Sequence, residues 1–257
     1  MTTWLATMGG VDYDDTVGRT MDLAPSRGVD RIRVYDDVWL KTHPFYQVNR
    51  WLFEAQPQVG FGWHAWKPLI VLDTMRLAAA GDVVGYLDGD TYPTGRDLRP
   101  LYETASREGA MLFGCQGQPH RKWCRRDCYL VMGQDEPRYH DAPHGCARFG
   151  FWKKGDWKAE QFLYEWLTYC CNPLANTRTV REPLKPELPG FTGEDCIVSE
   201  HRTDQAIYTL LTLKFGYRQY QEASCGGPEG PPYFEQAHVT RGNNPGCGSR
   251  WRNVEDP

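Results

Sequence analysis

A mixed, mainly parallel α/β sheet flanked by helices is the fold class this sequence predicts, and three observations predict it. Trp4 to Met8 is a short apolar run that breaks at Gly9-Gly10. Apolar residues at helical spacing follow Pro68, and the run Val83-Val84-Gly85-Tyr86-Leu87 then enters Asp88 directly. Strand, helix and strand in that order build parallel sheets. Such sheets bind ligands beyond the carboxyl ends of their strands. Gly9-Gly10, Asp36 and Asp88 all fall on that edge.

Each element has its own signal. Arg31 to Tyr35 is a second strand, ended by Asp36-Asp37. Pro68 suits the first turn of a helix, where its missing N–H costs nothing. Leu69, Leu72, Met75, Arg76 and Ala79 then follow helical spacing, and Gly81 is expected to close the helix as its cap. Trp157 to Cys170 is an amphipathic helix with Phe162, Leu163, Trp166 and Cys170 on one face. Residues 172–196 are Pro-rich and irregular. A further helix runs from Thr203 as N-cap to Phe215, with Gly216 as its stop. One domain is expected over 1–245, with 246–257 as a loose tail.

Composition bounds the function. The chain has 257 residues, 40% of them hydrophobic, which is enough for one sizeable core. A net charge of −4 supplies no basic field and argues against nucleic acid as a partner. The first residues lack a signal peptide's basic and apolar regions, and no segment approaches the roughly 20 apolar residues of a membrane span. A soluble cytoplasmic protein is expected, with room for peripheral membrane contact. Nine cysteines without CxxC pairs favour buried free thiols over disulfides. The alternative is a zinc site drawn from Cys115, Cys124, Cys128 and Cys146 with His120, His140 and His144, although their spacing fits no standard pattern.

Leu87-Asp88-Gly89-Asp90 carries the strongest chemical signal. Two carboxylates separated by one residue, just past a buried strand, can turn toward one hard cation. Oxygen ligands suit Mg²⁺ or Mn²⁺, which keep open positions for phosphate oxygens. The bland alternative is a plain Asp-Gly turn. Lys67 begins the helix before that strand and is placed to meet a diphosphate as a point charge added to the helix's positive end.

Two blocks carry a family resemblance. One is Trp63-His64-Ala65-Trp66-Lys67-Pro68-Leu69 continuing through Gly85-Tyr86-Leu87-Asp88; the other is His201-Arg202-Thr203-Asp204-Gln205-Ala206 with Lys214-Phe215-Gly216-Tyr217. The chain resembles bacterial and viral GT-A-type glycosyltransferases associated with capsule and cell-surface polysaccharide, over roughly residues 3 to 245. Many relatives have Asp-Ala-Gly where this chain has Asp-Gly-Asp, so donor and metal do not transfer directly from them.

The resemblance implies a GT-A fold, a nucleotide-diphosphate sugar donor of UDP or GDP type, and a divalent metal. It places base and ribose on Thr7, Met8, Gly9, Gly10 and Asp36. His238 would complete the metal site with Asp88 and Asp90, and Arg241 would reach the phosphates. For an inverting reaction Asp204 is the first candidate base and Asp195 a weaker one, with Glu194 beside it; a retaining reaction needs none. As an acid in the first turn of a helix, Asp204 has a purely structural explanation too. The expected function is transfer of a sugar to a glycan or lipid-linked acceptor. The alternatives are a catalytically silent nucleotide-sugar-binding module and a metal-dependent phosphohydrolase using Asp88 and Asp90.

Overall fold

The computed structural model describes residues 1–10, 13–54, 61–178, 184–186, 191, 201–225 and 231–237. Along the chain the first half comprises β1 (Thr3–Met8), α1 (Asp14–Leu23), β2 (Arg31–Tyr35) and three short helices, α2 (Asp37–Thr42), α3 (Pro44–Val48) and α4 (Arg50–Glu54). Next come α5 (Trp66–Leu77), β3 (Val83–Leu87), β4 (Thr91–Pro93), α6 (Arg99–Glu108) and β5 (Ala110–Pro119). The second half contains α7 (Arg126–Val131), α8 (Pro137–His140), β6 (Pro143–Lys153), α9 (Trp157–Cys170), α10 (Pro173–Asn176), α11 (Thr203–Lys214), β7 (Gln219–Gln221) and β8 (Phe234–Gln236).

Six strands form one sheet in the order β2-β1-β3-β6-β5-β7. β1 runs parallel to both β2 and β3, β7 runs parallel to β5, and β6 lies antiparallel between β3 and β5. The fold is therefore mixed α/β, with one reversed strand at its centre. A separate two-stranded ribbon pairs β4 with β8.

Side chains alternate between two cores because successive strand residues face opposite ways. Trp4, Ala6, Val84 and Tyr86 join a core with residues of α5, α9 and α11, including Ile70, Trp166 and Leu210. Leu5, Val83 and Leu87 join the other, against Leu101 and Tyr102 of α6. Covered on both faces, these strands explain the near-continuous apolar runs in the sequence. Gly85 is required here: a Cβ on it would meet the Phe151 ring at 2.8 Å.

The expected strands and the Trp157–Cys170 helix stand where the sequence puts them. Three helix details differ. α5 begins at Trp66, two residues before Pro68, and its C-cap is Ala78; Gly81 instead makes a left-handed turn (φ 90°) between helix and strand. The N-cap of α11 is Arg202, because Thr203 has already turned left-handed (φ 39°) and spends its hydroxyl on Asp204. Cys225 is disulfide-bonded, against the expectation of free thiols throughout. A bridge depends on which distant Cβ atoms meet, which spacing alone does not encode.

Candidate active site

The pairing of β1 with β3 builds the site. Thr7 is in register with Leu87, so Met8-Gly9-Gly10 and Asp88-Gly89-Asp90 leave the sheet side by side. They line one cavity of about 390 Å³. Tyr13, Phe61 and Trp66 supply its aromatic surface, and Asp37 and His64 its remaining polar groups. Gly89 is dictated by packing: a Cβ there would lie 2.2 Å from the Met8 carbonyl oxygen. The turn between the two aspartates thus presses directly on the end of β1.

Lys67 sits beneath this pocket, 5% exposed, in the first turn of α5. Its Nζ lies 2.9 Å from Asp88 Oδ1 and 3.4 Å from Asp204 Oδ2. Burial opposes the ammonium charge, but Asp204 and Asp88 outweigh it and raise the Lys67 pKa. Burial likewise works against charge on Asp204, and there Lys67 and His64 win, lowering its pKa. One ammonium serves as the shared counter-ion of two carboxylates. The Tyr86 hydroxyl also donates to Asp88.

Asp90 has a different setting. It accepts from Thr91 Oγ1 at 2.9 Å and from Gln236 Nε2 at 2.5 Å, both neutral donors. Burial, and then the neighbouring Asp88 carboxylate, raise its pKa. The segment that continues into residue 238 is tied here as well, since Ala237 N donates to the Asp90 carbonyl at 2.8 Å. Arg148 is nearby but is already paired with Glu222. Among the described residues, Lys67 pairs with both Asp88 and Asp204, His64 pairs with Asp204, and Asp90 is in no ion pair. Hard oxygen donors gathered in this way suit a divalent cation.

The opposite wall is built on backbone strain. Gly62, Trp63 and His64 are all left-handed, with φ of 61°, 51° and 60°. Trp63 is buried, which anchors the run, and His64 projects to the cavity with Nδ1 3.3 Å from Asp204 Oδ1. Asp204 itself follows the left-handed Thr203. Both partners of this contact thus hang on non-glycine residues in a conformation that costs about 1–3 kcal/mol each and clusters at functional sites.

The expected site residues divide accordingly. Met8, Gly9, Gly10, Asp88, Gly89 and Asp90 line the cavity, while Thr7 is buried within β1. Lys67 and Asp204 lie behind the lining, Asp204 in contact with the lining residue His64. Asp36 caps α2, accepting from Trp39 N at 2.7 Å, and its neighbour Asp37 takes the place in the cavity wall. Asp195, Glu194, His238 and Arg241 lie outside the described residues. Arg148, Glu222 and Gln236 carry no motif; the one available signal was a charged residue inside the apolar run Cys146-Ala147-Arg148-Phe149.

The fold divides the cysteines and histidines weighed for zinc into separate groups. Cys124 and Cys128 lie in the core with Tyr129. His120 and His144 stack on one another, and burial pushes both pKa values well down, so they stay neutral. His140 pairs with Asp135. Among the described residues, two of the weighed cysteines, Cys115 and Cys146, gather their ligand atoms within 4.8 Å together with Glu222.

No family model matches the chain, and no curated protein matches its sequence. Among solved structures it is similar to the WbbM bifunctional glycosyltransferase, with a TM-score of 0.46 and 11% identity over 88% of this chain and 39% of that one. It is also similar to mouse xyloside xylosyltransferase 1, with a TM-score of 0.40 and 11% identity over 88% of this chain and 86% of that one. Both are glycosyltransferases. The chain spans well under half of the WbbM chain. Among the described residues, no helix is long and apolar enough to cross a membrane.

Proposed function

We propose that the protein is a metal-dependent glycosyltransferase of GT-A type that moves a sugar from a nucleotide-diphosphate donor to a glycan or lipid-linked acceptor in surface polysaccharide synthesis. The observation that carries this reading is the meeting of two loops, Met8-Gly9-Gly10 and Asp88-Gly89-Asp90, in one cavity whose lining includes both Asp88 and Asp90. A nucleoside diphosphate needs a wall for its base and ribose and a cation for its phosphates. The β1 loop with Tyr13, Phe61 and Trp66 would form the first, and Asp88 and Asp90 would hold the second.

Asp88 and Asp90 would hold Mn²⁺ or Mg²⁺, which supplies Lewis-acid stabilisation of the departing diphosphate. Lys67 holds Asp204 ionised and pairs with Asp88 from below. In an inverting displacement the acceptor hydroxyl attacks the anomeric carbon as the carbon–phosphate-oxygen bond breaks. Its proton then falls to the Asp204–His64 pair, with the ionised carboxylate steadying the imidazole that lines the cavity. His238, adjacent in sequence to the Ala237 tied to Asp90, is the candidate third ligand, and Arg241 the candidate phosphate contact.

A thermal-shift panel of UDP-, GDP-, CDP- and dTDP-sugars, with and without Mn²⁺, tests this reading on wild type and Asp90→Asn. A ligand that binds only the native state raises the melting temperature by mass action. We expect one nucleotide class to stabilise the wild type only with metal, and Asp90→Asn to abolish the shift. No shift with any nucleotide would remove the proposal.

A further inference from the structure

Gln236 bridges Asp90 and Arg148, and the chemistry of those neighbours fixes which way its amide points. Arg148 can only donate hydrogen bonds and the Asp90 carboxylate can only accept them. Gln236 must therefore turn Oε1 toward Arg148 and Nε2 toward Asp90, as observed. Arg148 is held in turn by Glu222, which is 2% exposed and also accepts from Ser224 Oγ at 2.8 Å and Cys115 Sγ at 3.4 Å. Glu222, held by Ser224 and Cys115, anchors this chain of bonds. Arg148 also touches the other end of the same turn, since its carbonyl accepts from Asp88 N at 2.8 Å. One residue of β6 thereby braces Asp88 through the backbone and Asp90 through Gln236.

We propose that Gln236 is a positioning residue for the cation site, locked by the Arg148–Glu222 pair, so that Asp90 presents its carboxylate to the cavity in one orientation before any cation arrives. The inference rests on the metal-dependent reading above. Partners that orient a ligand in this way are commonly worth about tenfold or more in metal affinity.

The test is Mn²⁺ binding to the full chain, followed by the electron paramagnetic resonance signal of free Mn²⁺ with UDP and with GDP present. Gln236→Leu should bind Mn²⁺ about tenfold more weakly, with a modest fall in its metal-free melting temperature because Asp90 and Arg148 each lose a buried bond. The double change Arg148→Met with Glu222→Gln removes both members of the ion pair together and leaves no lone buried charge. It should show a similar loss, and adding Gln236→Leu to it should cost nothing more, because the three residues act in series. Wild-type Mn²⁺ affinity in Gln236→Leu, or losses that add in the combined variant, would overturn the positioning role. If the wild type itself takes up no Mn²⁺ with either nucleotide, the metal-dependent reading fails and the inference falls with it.

Discussion

Asp204 and Asp90 belong to the same site, yet their surroundings drive them in opposite directions. Burial penalises the charge of both. Asp204 is rescued by a cation of the chain itself, Lys67, with His64 beside it, and its pKa falls. Asp90 is met by an amide and a hydroxyl while Asp88 repels it, and its pKa rises. Asp204 thus has a counter-charge supplied by the chain itself. Among the described residues Asp90 has only neutral hydrogen-bond donors, and the proposed cation site rests on that contrast more than on the spacing of the aspartates.

The largest expected effect comes from removing the Lys67 counter-charge. Lys67→Met leaves Asp88 and Asp204 close together without a counter-ion, and removing one partner of a buried pair costs about 3–5 kcal/mol. Urea denaturation measures this; a loss below about 1 kcal/mol would mean that the ammonium is not the shared counter-ion described. The variant should also lose nucleotide binding.

A sharper test compares Asp204→Asn with Asp90→Asn across pH, without divalent cations. The depressed pKa of Asp204 contributes stability that is present above its unfolded value of 3.8 and lost as pH falls through the lower folded value. Asp204→Asn should therefore be about 1–3 kcal/mol less stable at neutral pH, with the deficit closing in acid. The raised pKa of Asp90 has the reverse sign: stability fully present below its unfolded value of 3.8 is lost as pH rises through the higher folded value. Asp90→Asn should be the more stable protein at neutral pH, and its advantage should vanish as acid protonates the wild-type carboxyl. Curves of the same sign for the two variants would erase the contrast.

The smallest effect separates two neighbours. Asp36→Ala removes a helix cap and should cost about 1 kcal/mol without touching nucleotide binding. Asp37→Ala should weaken binding at little cost to stability, because Asp37 lines the cavity and pairs on the surface with Lys41. Calorimetric titration beside melting curves would show whether the roles are reversed.

These residues also show what the sequence discloses. β1, β3 and α9 were legible because local apolar periodicity matches their burial. Asp88-Gly89-Asp90 was legible because strand and turn chemistry coincide. Asp36 was placed by its position after a strand, but an N-cap bond to Trp39 takes its carboxylate, a competition that one-dimensional reading does not rank. β6 was missed as a strand because His144, Gly145, Arg148 and Gly150 interrupt its apolar pattern, and its pairing with β3 runs from Leu87 with Phe149 to Val83 with Lys153, far apart in sequence. The bonds from Arg148 to Glu222 and Gln236 join positions 74 and 88 residues apart, and no local pattern points to them.

The left-handed residues Trp63, His64 and Thr203 carry a consequence for anyone seeking a hardier protein. Glycine or asparagine occupies that backbone region with less strain, so a screen for heat resistance would be drawn to these three positions. Each gain there would relax the segments that bring His64 against Asp204. Thermostability and turnover should then trade against each other at these positions more than elsewhere in the chain, and variants chosen for one ought to be scored for the other.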